Sequence, residues 1–315
     1  MRDRFNRNIT YLRLSVTDLC NLRCVYCMPE TGVHKKKHSD ILSVEEIEEM
    51  ARACVACGVK KIRVTGGEPL VRRGIEDICA RLSAIDGVEE LCMTTNGILL
   101  PKYAQKLKKA GVLRLNISLD TLNAEKYRAI SRVGTLKDAL NGIEAAKQAG
   151  FSDLKLNVVL MGGINDDEIR DFVRFAGEQS IEVRFIELMP IGECRTFDKK
   201  RFIESKKVLE ATPELIEKCT EGVARIYSIP DSKGQVGLIS PMSTHFCPGC
   251  NRIRITGDGK LKPCLHSSEE ISLRGLHGEA LKETIGDAMR NKPQRHHLDA
   301  KTPSESLRTM NAIGG

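Results

Sequence analysis

The stretch TDLCNLRCVYCMPE, from Thr17 to Glu30, places three cysteines, Cys20, Cys24 and Cys27, within eight residues. An odd number of thiols cannot pair off completely as disulfides, and structural zinc usually takes four ligands. The stretch therefore indicates a cysteine site that is neither a complete set of disulfides nor, by itself, a complete zinc site. Other motifs in the chain are needed to identify it.

The length and composition indicate a sizeable globular protein. The chain has 315 residues, of which 41% are hydrophobic, enough for one large α/β domain or for a core with a smaller appendage. No apolar run approaches the length of a membrane span, and the N-terminal residues lack the features of a signal peptide. We therefore expect a cytoplasmic protein with no membrane contact. Twelve cysteines in such a protein favour metal or redox chemistry over disulfides.

The net charge of the chain narrows the classes of ligand that it could bind. With 49 basic and 42 acidic residues, the net charge is +7, which suits either a phosphorylated ligand or a nucleic acid. Aromatic residues make up only 4% of the chain, and tryptophan is missing, which disfavours stacking platforms for single-stranded nucleic acid. We therefore expect no nucleic-acid partner.

Short strand-like segments alternate with amphipathic, helix-like segments from Tyr11 onwards. The strand-like segments are residues 11–17, 60–67, 89–97, 114–120, 154–161 and 182–190. The five segments between them place apolar residues near helical spacing, and most of them end in glycine. Five βα units followed by a sixth strand predict an α/β fold with a parallel sheet, either barrel-like or doubly wound.

The pattern changes after about Asp198. The segments ARIYSIP, GQVGLISP and RIRITGDGKLKPCL are typical of antiparallel strands with tight glycine turns. We place a domain boundary near residue 222, which divides the chain into a core of residues 1–222 and a C-terminal region of residues 223–315. The final segment, PSESLRTMNAIGG, is expected to be a flexible tail because chain ends usually fray.

Polar residues share one face of several predicted strands. Lys61, Arg63 and Thr65 alternate along one strand and therefore point the same way. The same pattern occurs at Arg13, Ser15 and Thr17, at Asn116, Ser118 and Asp120, and at Lys155 and Asn157. A barrel interior is normally filled with aliphatic side chains. These polar faces therefore either line a positively charged lumen suited to a polyanion or point outward to solvent.

Cys20, Cys24 and Cys27, which we call the first trio, suit an iron–sulfur cluster. A 4Fe–4S cluster normally takes four cysteines, so three cysteines leave one iron with an open coordination position. An open iron can bind a small chelating molecule and pass an electron to it. The alternative is a zinc site completed by His34 or His38 in the following loop, although structural zinc favours paired C-x2-C arms.

The sequence CNLRCVYC resembles the signature of the radical S-adenosylmethionine (SAM) superfamily. TGGEPL at residues 65–70 and NISLD at residues 116–120 resemble two further elements of that superfamily. The resemblance implies that SAM binds the open iron, and that the reduced cluster cleaves SAM to methionine and a 5′-deoxyadenosyl radical. It also implies SAM contacts from four residues: Tyr26, Gly67, Ser118 and Met189.

A second set of three cysteines, Cys247, Cys250 and Cys264, lies in CPGCNRIRITGDGKLKPC, and we call it the second trio. Its spacing resembles the C-terminal cluster motif of the GTP 3′,8-cyclase family, which acts in molybdenum cofactor biosynthesis. Further similarity to that family lies in YLRLSVTD, KKIRVTGGEPLVRR, MTTNG, LNVVLMGGIND and VRFIELMPIG, and in the terminal Gly314-Gly315. The resemblance runs from about residue 5 to the last residue.

This resemblance implies a partial (β/α)6 TIM-like barrel of the radical SAM type, followed by a C-terminal region that carries a second cluster. It implies two 4Fe–4S clusters and SAM as cofactors, and GTP as the substrate. The expected product is (8S)-3′,8-cyclo-7,8-dihydroguanosine 5′-triphosphate, formed when the radical removes the C3′ hydrogen and the carbon radical attacks C8. Expected partners are a reducing electron donor and a downstream cyclic pyranopterin monophosphate synthase, and the resemblance also allows for a homodimer.

The resemblance assigns roles to individual residues as well. The expected GTP-binding residues are Arg13, Lys61, Arg63, Thr94, Lys155, Arg184, Arg252, Ile253 and Arg254. Arg252 and Arg254 are also expected to assist catalysis beside the second trio, whose open iron would meet the guanine base. The Gly-Gly end is expected to reach into the active site.

Two other functions share part of the sequence pattern: a radical SAM enzyme that modifies a peptide or another cofactor, and a zinc-dependent nucleic-acid-binding module.

Overall fold

The computed structural model describes residues 1–33, 36–296, 298 and 304–314, without the side chain of His38. Its first six strands coincide with the six strand-like segments of the sequence. They are β1 (Tyr11–Ser15), β2 (Lys61–Thr65), β3 (Glu90–Thr95), β4 (Arg114–Ser118), β5 (Leu154–Leu160) and β6 (Glu182–Glu187). The observed strands are shorter than the predicted segments because the chain leaves the sheet before each segment ends.

Helices alternate with these strands. Within the described residues they are α1 (Val44–Ala56), α2 (Ile75–Ser83), α3 (Leu100–Lys109), α4 (Ala124–Ser131), α5 (Leu136–Gln148), α6 (Ile169–Gln179), α7 (Lys206–Ala211), α8 (Gly278–Arg290) and α9 (Met310–Ile313). In this part of the chain, none of the helices combines the length and the apolar character needed to cross a bilayer.

The sequence predicts most helices between the core strands but misses α4. Only eight residues long, α4 is too short to show a clear apolar period. Its start is fixed by Asn123, whose side-chain oxygen accepts hydrogen bonds from the N–H groups of Glu125 at 2.9 Å and Lys126 at 3.1 Å. The clear helix α1 begins with a full capping box, in which Ser43 and Glu46 exchange side-chain and backbone hydrogen bonds of 3.1 and 2.7 Å.

The six core strands are parallel and lie in sequential order in the sheet. Sequential order means that every βαβ connection advances in the same direction, so right-handed connections place the helices on one face. A doubly wound sheet would require the strand order to reverse. The barrel-like alternative, a partial (β/α)6 array, is therefore confirmed.

Six further strands extend both edges of this sheet. They are β7 (Ile216–Glu221), just before residue 222, and in the C-terminal region β8 (Ala224–Ser228), β9 (Gln235–Ile239), β10 (Arg252–Ile255), β11 (Lys260–Lys262) and β12 (Ile271–Ser272). Beside β6, β9 pairs in parallel and β8 and β7 continue antiparallel. Beside β1, β10 pairs in parallel and β11 and β12 continue antiparallel. The expected antiparallel pairs are present, and the two parallel joins attach them to the core.

The expected domain boundary near residue 222 falls at the turn between β7 and β8. Gly222 forms this turn with a φ of +63°, in the left-handed region that favours glycine. The sheet continues across this point, so both parts of the chain build one twelve-stranded sheet within the described residues. The division into residues 1–222 and 223–315 stays a prediction.

The main hydrophobic core lies between the sheet and the helical layer. Leu12 and Leu14 of β1, like Ile62 and Val64 of β2, are fully buried in it. The polar residues at alternate positions therefore face the opposite side of the sheet. Ile253 of β10 also belongs to this core, so the side chain of this expected GTP-binding residue points away from the polar side.

Candidate active site

A cavity of about 460 Å³ opens on the polar face of the sheet, and both cysteine trios line it. Side chains from β1 to β6 and from β10 form the wall between the trios. The expected SAM and GTP residues that lie in this wall are Tyr26, Gly67, Ser118, Met189, Arg13, Lys61, Arg63, Thr94, Arg184, Arg252 and Arg254. The wall does not include Lys155 or Ile253. The polar strand faces thus point inward, which confirms the first of the two alternatives.

Three arginines form a row across adjacent strands in this wall. The strand register places Arg254 of β10 beside Arg13 of β1, and Arg13 beside Arg63 of β2. Burial and the nearby Arg254 lower the pKa of Arg13 well below its ordinary value, while burial and Arg252 lower the pKa of Arg254 to about 10. Three guanidinium groups side by side offer many hydrogen-bond donors in a planar geometry that matches phosphate and carboxylate oxygens. The row therefore suits the binding of a highly charged anion.

A neighbouring row consists of Arg252, Tyr11 and Lys61. The Arg252 guanidinium and the Lys61 ammonium lie 5.8 and 5.3 Å from the Tyr11 ring centre, within cation–π range. Burial raises the pKa of the Tyr11 phenol, but the charges of Arg63, Arg13 and Arg252 outweigh burial and lower this pKa to about 8. Sequence reasoning missed Tyr11 as a site residue. The available signal was its position two residues before Arg13 on the same strand face.

Arg63 is held firmly by its neighbours. Its Nη1 donates hydrogen bonds to Asn116 Oδ1 at 2.8 Å, to the carbonyl of Met93 at 3.2 Å and to Thr94 Oγ1 at 3.4 Å. Its Nε donates to the hydroxyl of Tyr11. The guanidinium plane is therefore fixed by contacts with β1, β3 and β4, and two of the expected GTP residues, Arg63 and Thr94, are in contact.

Lys155 and Arg184 lie at the other end of the polar face, in a cluster with carboxylates. Lys155 Nζ donates to Glu182 Oε2 at 2.6 Å and to Glu221 Oε2 at 2.7 Å. Arg184 donates to Glu221 Oε2 at 2.9 Å and also to Glu182. Lys155 is only 3% exposed because these groups cover it, and this explains its absence from the cavity wall.

The first trio lies on the loop after β1, packed against the residues that follow β2. The N–H groups of Gly67 and Glu68 donate to the carbonyls of Thr17 and Leu19, each at 2.8 Å. A Cβ on Gly67 would lie 2.4 Å from the Leu19 carbonyl oxygen, closer than real Cβ atoms approach. Glycine at this position is therefore required by the packing of the cysteine loop itself.

Tyr26 ties the same loop to the ends of β4 and β5. Its hydroxyl donates to Asp120 Oδ2 at 2.7 Å, and Asp120 Oδ1 accepts the N–H of Val159 at 2.8 Å. Burial raises the pKa of Asp120 to about 6, although both hydrogen bonds act to lower it. Asp120 is a second residue that sequence reasoning left without a role, and its contacts make it a positioning residue for the cysteine loop.

The first trio fits an iron–sulfur cluster. All twelve cysteines lie in the described part of the chain and carry free thiols, so the trio is not consumed by disulfides. Burial raises the pKa of Cys20 to about 11 and also raises those of Cys24 and Cys27, and a bound metal deprotonates such thiols. No three His, Cys, Asp or Glu side chains among the described residues converge as one metal ion would require. Three sulfur donors on one loop suit a cluster better than zinc, which favours paired C-x2-C arms. His34 and the side chain of His38, the remaining candidate zinc ligands, lie outside the described residues.

The second trio also offers soft sulfur ligands toward the cavity. It begins in the short 3-10 turn Cys247–Gly249, where the N–H of Cys250 donates to the carbonyl of Cys247 at 3.1 Å. Burial raises the pKa of Cys250, but the charges of Lys292 and Arg252 outweigh burial and lower this pKa overall. A lowered pKa favours the thiolate, the form that binds iron.

Three histidines that sequence reasoning did not assign pack beside the second trio. The rings of His245 and His266 have their centres 4.8 and 4.6 Å from the centre of the His296 ring. Burial lowers the pKa of His266 to about 3, with a further contribution from His296. The three residues are distant in sequence and form no motif, so only the tertiary structure reveals the group.

The C-terminal segment folds back onto the cavity. Asn311 is 1% exposed and donates through Nδ2 to the carbonyl of Asp18 at 3.0 Å. The carbonyl of Gly314 accepts a hydrogen bond from Arg254 Nη1 at 2.8 Å, and a Cβ on Gly314 would lie 2.6 Å from Thr65 Oγ1. The expectation of a flexible tail is therefore wrong for residues 304–314, which reach the active site as the resemblance implied. Gly315 lies outside the described residues.

Arg308 anchors this segment. Its guanidinium donates two hydrogen bonds of 2.7 Å to Glu270 and two of 3.0 Å to Asp258. We expect Arg308→Ala to release residues 304–314 from the cavity, because a bidentate pair with limited exposure stabilises an end that otherwise frays. The expected loss is about 1–2 kcal/mol, between the values for surface and buried ion pairs. Amide hydrogen exchange of residues 304–314 would measure the release.

The matched control for this anchor is Arg290→Ala, which removes an exposed ion pair with Asp287 elsewhere on the surface. The control should leave the exchange of residues 304–314 unchanged. Unchanged protection of these residues in Arg308→Ala would contradict the anchoring role.

Comparison with known proteins places the chain in a family. The Radical SAM superfamily profile matches residues 14–176, and the Molybdenum Cofactor Synthesis C profile matches residues 181–298. The GTP 3′,8-cyclase of Alkaliphilus oremlandii is 49% identical over 320 residues, and that of Alkaliphilus metalliredigens is 48% identical over 321 residues. Both alignments cover 100% of this chain and 100% of the relative.

A solved structure supports the fold independently. SuiB of Streptococcus suis matches with a TM-score of 0.67 and 15% identity, covering 91% of this chain and 67% of SuiB. At this identity the likeness concerns the fold alone. The identity to the two cyclases is much higher, 49% and 48%, and extends over the full length of both chains. It shows that the chain belongs to the GTP 3′,8-cyclase family of the radical SAM superfamily.

Proposed function

We propose that this chain converts GTP into (8S)-3′,8-cyclo-7,8-dihydroguanosine 5′-triphosphate, an early step of molybdenum cofactor biosynthesis. The observation that carries the proposal is one cavity lined by both cysteine trios, with the Arg13, Arg63 and Arg254 row in the same wall. A peptide or a nucleic acid would not need this concentration of buried positive charge in so small a cavity, whereas a triphosphate would.

As a member of its family, the chain uses SAM and 4Fe–4S clusters. We assign one cluster to Cys20, Cys24 and Cys27 and the other to Cys247, Cys250 and Cys264, on the donor chemistry described above. When bound, the clusters and SAM supply the hydrogen-abstracting radical and the electrons for the reaction. SAM contacts from Tyr26, Gly67, Ser118 and Met189 stay predictions, supported by their position in the cavity wall.

The arginines are proposed to bind the triphosphate. An arginine fork meets phosphate oxygens with two parallel hydrogen bonds, while a lysine acts as a point charge. Arg13, Lys61, Arg63, Thr94 and Arg184 lie in the cavity wall, which supports this role for them. Ile253 can contribute only through its backbone, because its side chain lies in the hydrophobic core.

Arg252 and Arg254 are proposed to act at the reacting end of the substrate, beside the second trio. Arg252 Nε is buried without a hydrogen-bond partner among the described residues, which leaves a donor for a ligand. Arg254 holds the carbonyl of Gly314 and so keeps the C-terminal segment over the cavity. That closure excludes water and foreign hydrogen donors, which a radical reaction requires, and it holds the substrate in one orientation.

The partners beyond GTP are also part of the proposal. The reaction consumes one electron to cleave SAM and one electron with a proton to complete the cyclised nucleotide, so a reducing electron donor is required. A cyclic pyranopterin monophosphate synthase is proposed to take up the product, which fits the biosynthetic step of the family. A cytoplasmic location is proposed because reducing conditions preserve the free thiols. The homodimer stays a prediction.

The test is an anaerobic incubation of the reconstituted protein with GTP, SAM and dithionite, followed by mass spectrometry. We expect 5′-deoxyadenosine and, in about equal amount, a cyclised nucleotide that has the same mass as GTP and is separated from GTP by liquid chromatography before mass analysis. Methionine and 5′-deoxyadenosine without consumption of GTP would contradict the proposal. The same incubation with ATP in place of GTP is the matched control, and it should give no cyclised nucleotide.

A further inference from the structure

Glu221 stands out among the acidic residues near the cavity because it contacts three cations from three strands. Its Oε2 accepts hydrogen bonds from Lys155 Nζ at 2.7 Å and from Arg184 Nη2 at 2.9 Å. Its Oε1 accepts a hydrogen bond from Arg114 Nη1 at 3.0 Å. Arg114, Arg184 and Glu221 all line the cavity. One carboxylate therefore joins three positive groups, each of which also pairs with another carboxylate: Arg114 with Asp153 and Glu90, and Lys155 and Arg184 with Glu182.

The position of Glu221 differs from that of the neighbouring carboxylate, Glu182. Glu182 lies on β6, which pairs with β5 and β9 on either side, and its side chain is 7% exposed, so the sheet holds it in place. Glu221 is the last residue of β7, and its side chain is 45% exposed. It can leave the cluster by a rotation of its own side chain, whereas Glu182 cannot leave without a shift of the sheet.

The strand that carries Glu221 is loosely held. All six residues of β7 are exposed, and in the described part of the chain β7 is an edge strand that pairs only with β8. The following Gly222 provides a turn in the left-handed conformation, and apart from its chain neighbours no heavy atom of the described residues lies within 4 Å of the place where its Cβ would be. Few buried contacts and an open turn are the features of a segment that moves at low energetic cost.

The geometry around Glu221 resembles a phosphate-binding arrangement with a carboxylate in place of the phosphate. Two arginines and one lysine converge on its two oxygens, as cations do on phosphate oxygens. Burial raises the pKa of Glu221, but Lys155, Arg184 and Arg114 outweigh burial and lower this pKa to about 2, so the group is negatively charged at neutral pH. The Lys155 ammonium, expected to contact phosphate, donates to both Glu182 and Glu221, and the departure of Glu221 alone would free one of its hydrogen-bond positions for a phosphate oxygen.

We propose that Glu221 is an internal counter-ion that occupies a phosphate subsite formed by Lys155, Arg184 and Arg114, and that a nucleoside triphosphate displaces it on binding. Arg114 then becomes a further phosphate-contacting residue, in addition to those that the sequence indicates. This inference rests on the proposed function, because GTP is the polyanion that the site would receive.

The test compares Glu221→Gln and Glu221→Ala with the wild-type protein by isothermal titration calorimetry. The anaerobically reconstituted protein is titrated with GTP and, separately, with sodium tripolyphosphate. Both variants should bind both ligands about three- to ten-fold more tightly than wild type. This range corresponds to a competing carboxylate that blocks roughly two-thirds to nine-tenths of the free protein. The matched control is Glu217→Gln, which removes the same charge from an exposed position on the same strand.

Each outcome bears on the proposal. Tighter binding by the Glu221 variants with an unchanged Glu217 variant supports it. Unchanged or weaker binding by the Glu221 variants overturns it, and so does an equal gain in the Glu217 variant, because that gain would reflect general surface charge. Tripolyphosphate that binds none of the proteins also overturns it. If tripolyphosphate responds as expected but GTP is neither bound nor converted, the proposed function fails and the phosphate subsite stands.

A crystal structure of the wild-type protein with GTP provides a second test, which does not depend on how a substitution affects folding. The expected result is a phosphate oxygen within hydrogen-bond distance of Lys155 Nζ or Arg114, with the Glu221 carboxylate turned away. A bound triphosphate with Glu221 still bonded to Lys155 and Arg184 would overturn the displacement.

Discussion

Replacing Cys24 with serine should abolish 5′-deoxyadenosine formation and reduce the iron content of the protein by about half. A serine hydroxyl stays protonated at neutral pH and is a poor iron ligand, so the first trio would lose one of its three sulfur donors. Loss of even an indirect partner of a metal ligand lowers metal affinity or activity by about 10- to 100-fold, so loss of a ligand should exceed that range. Iron and acid-labile sulfide analysis and mass spectrometry of 5′-deoxyadenosine measure the result.

Two further cysteine variants make this prediction specific. Cys219→Ser changes an exposed thiol outside both trios and should leave the iron content and the activity unchanged. Cys250→Ser should also lower the iron content by about half. It should leave SAM binding at the first trio intact while the cyclised nucleotide is lost. Full iron and full activity in Cys24→Ser would refute the assignment of the first cluster.

Arg63→Ala should weaken GTP binding by about 30-fold to several thousand-fold. This range corresponds to about 2–5 kcal/mol, the cost of truncating one partner of a buried, hydrogen-bonded charge pair. Arg63 is only 5% exposed and lies at one end of the arginine row, beside Arg13, so water cannot replace its contacts. Titration calorimetry with GTP measures the affinity, and thermal unfolding of the same samples separates lost binding from lost stability.

The control for Arg63 is Lys60→Ala, one of the neighbouring basic residues of the sequence. Lys60 is exposed and forms an ion pair with Glu89, away from the cavity, and its removal should change GTP affinity by less than about two-fold. Arg63→Lys keeps the positive charge but lacks the planar guanidinium group that can donate two parallel hydrogen bonds. Its affinity for GTP should remain at least about ten-fold weaker than that of wild type. An Arg63→Ala protein with lowered thermal stability but unchanged GTP affinity would show that this arginine serves the fold alone.

The cysteine trios and the strand faces could be predicted from the sequence because their information is local. Sulfur ligands that share a cluster lie a few residues apart on one loop, and the alternation of a strand decides which side chains point the same way. Arg13, Lys61 and Arg63 were therefore identifiable as inward-facing candidates once a polar lumen was considered. The same local information identified Cys247 and Cys250 in the second trio.

Contacts between distant segments could not be predicted in this way. The tail was expected to fray because its own sequence has no strong structural preference, yet Arg308 is bound by Asp258 and Glu270. His245, His266 and His296 meet only in the folded chain. Lys155 was identifiable as a phosphate candidate, but nothing in its own segment indicates that Glu221 covers it.

The sequence by itself determined the ligand chemistry, the strand periodicity and the family, because each of these is written in residues that lie close together along the chain. The tertiary structure decided how strands from both ends of the chain meet: β10 beside β1 completes the arginine row, and β9 beside β6 brings Glu221 over Lys155. The physical reason is that strand pairing depends on the packing of the whole sheet, and local propensities do not specify which edges join.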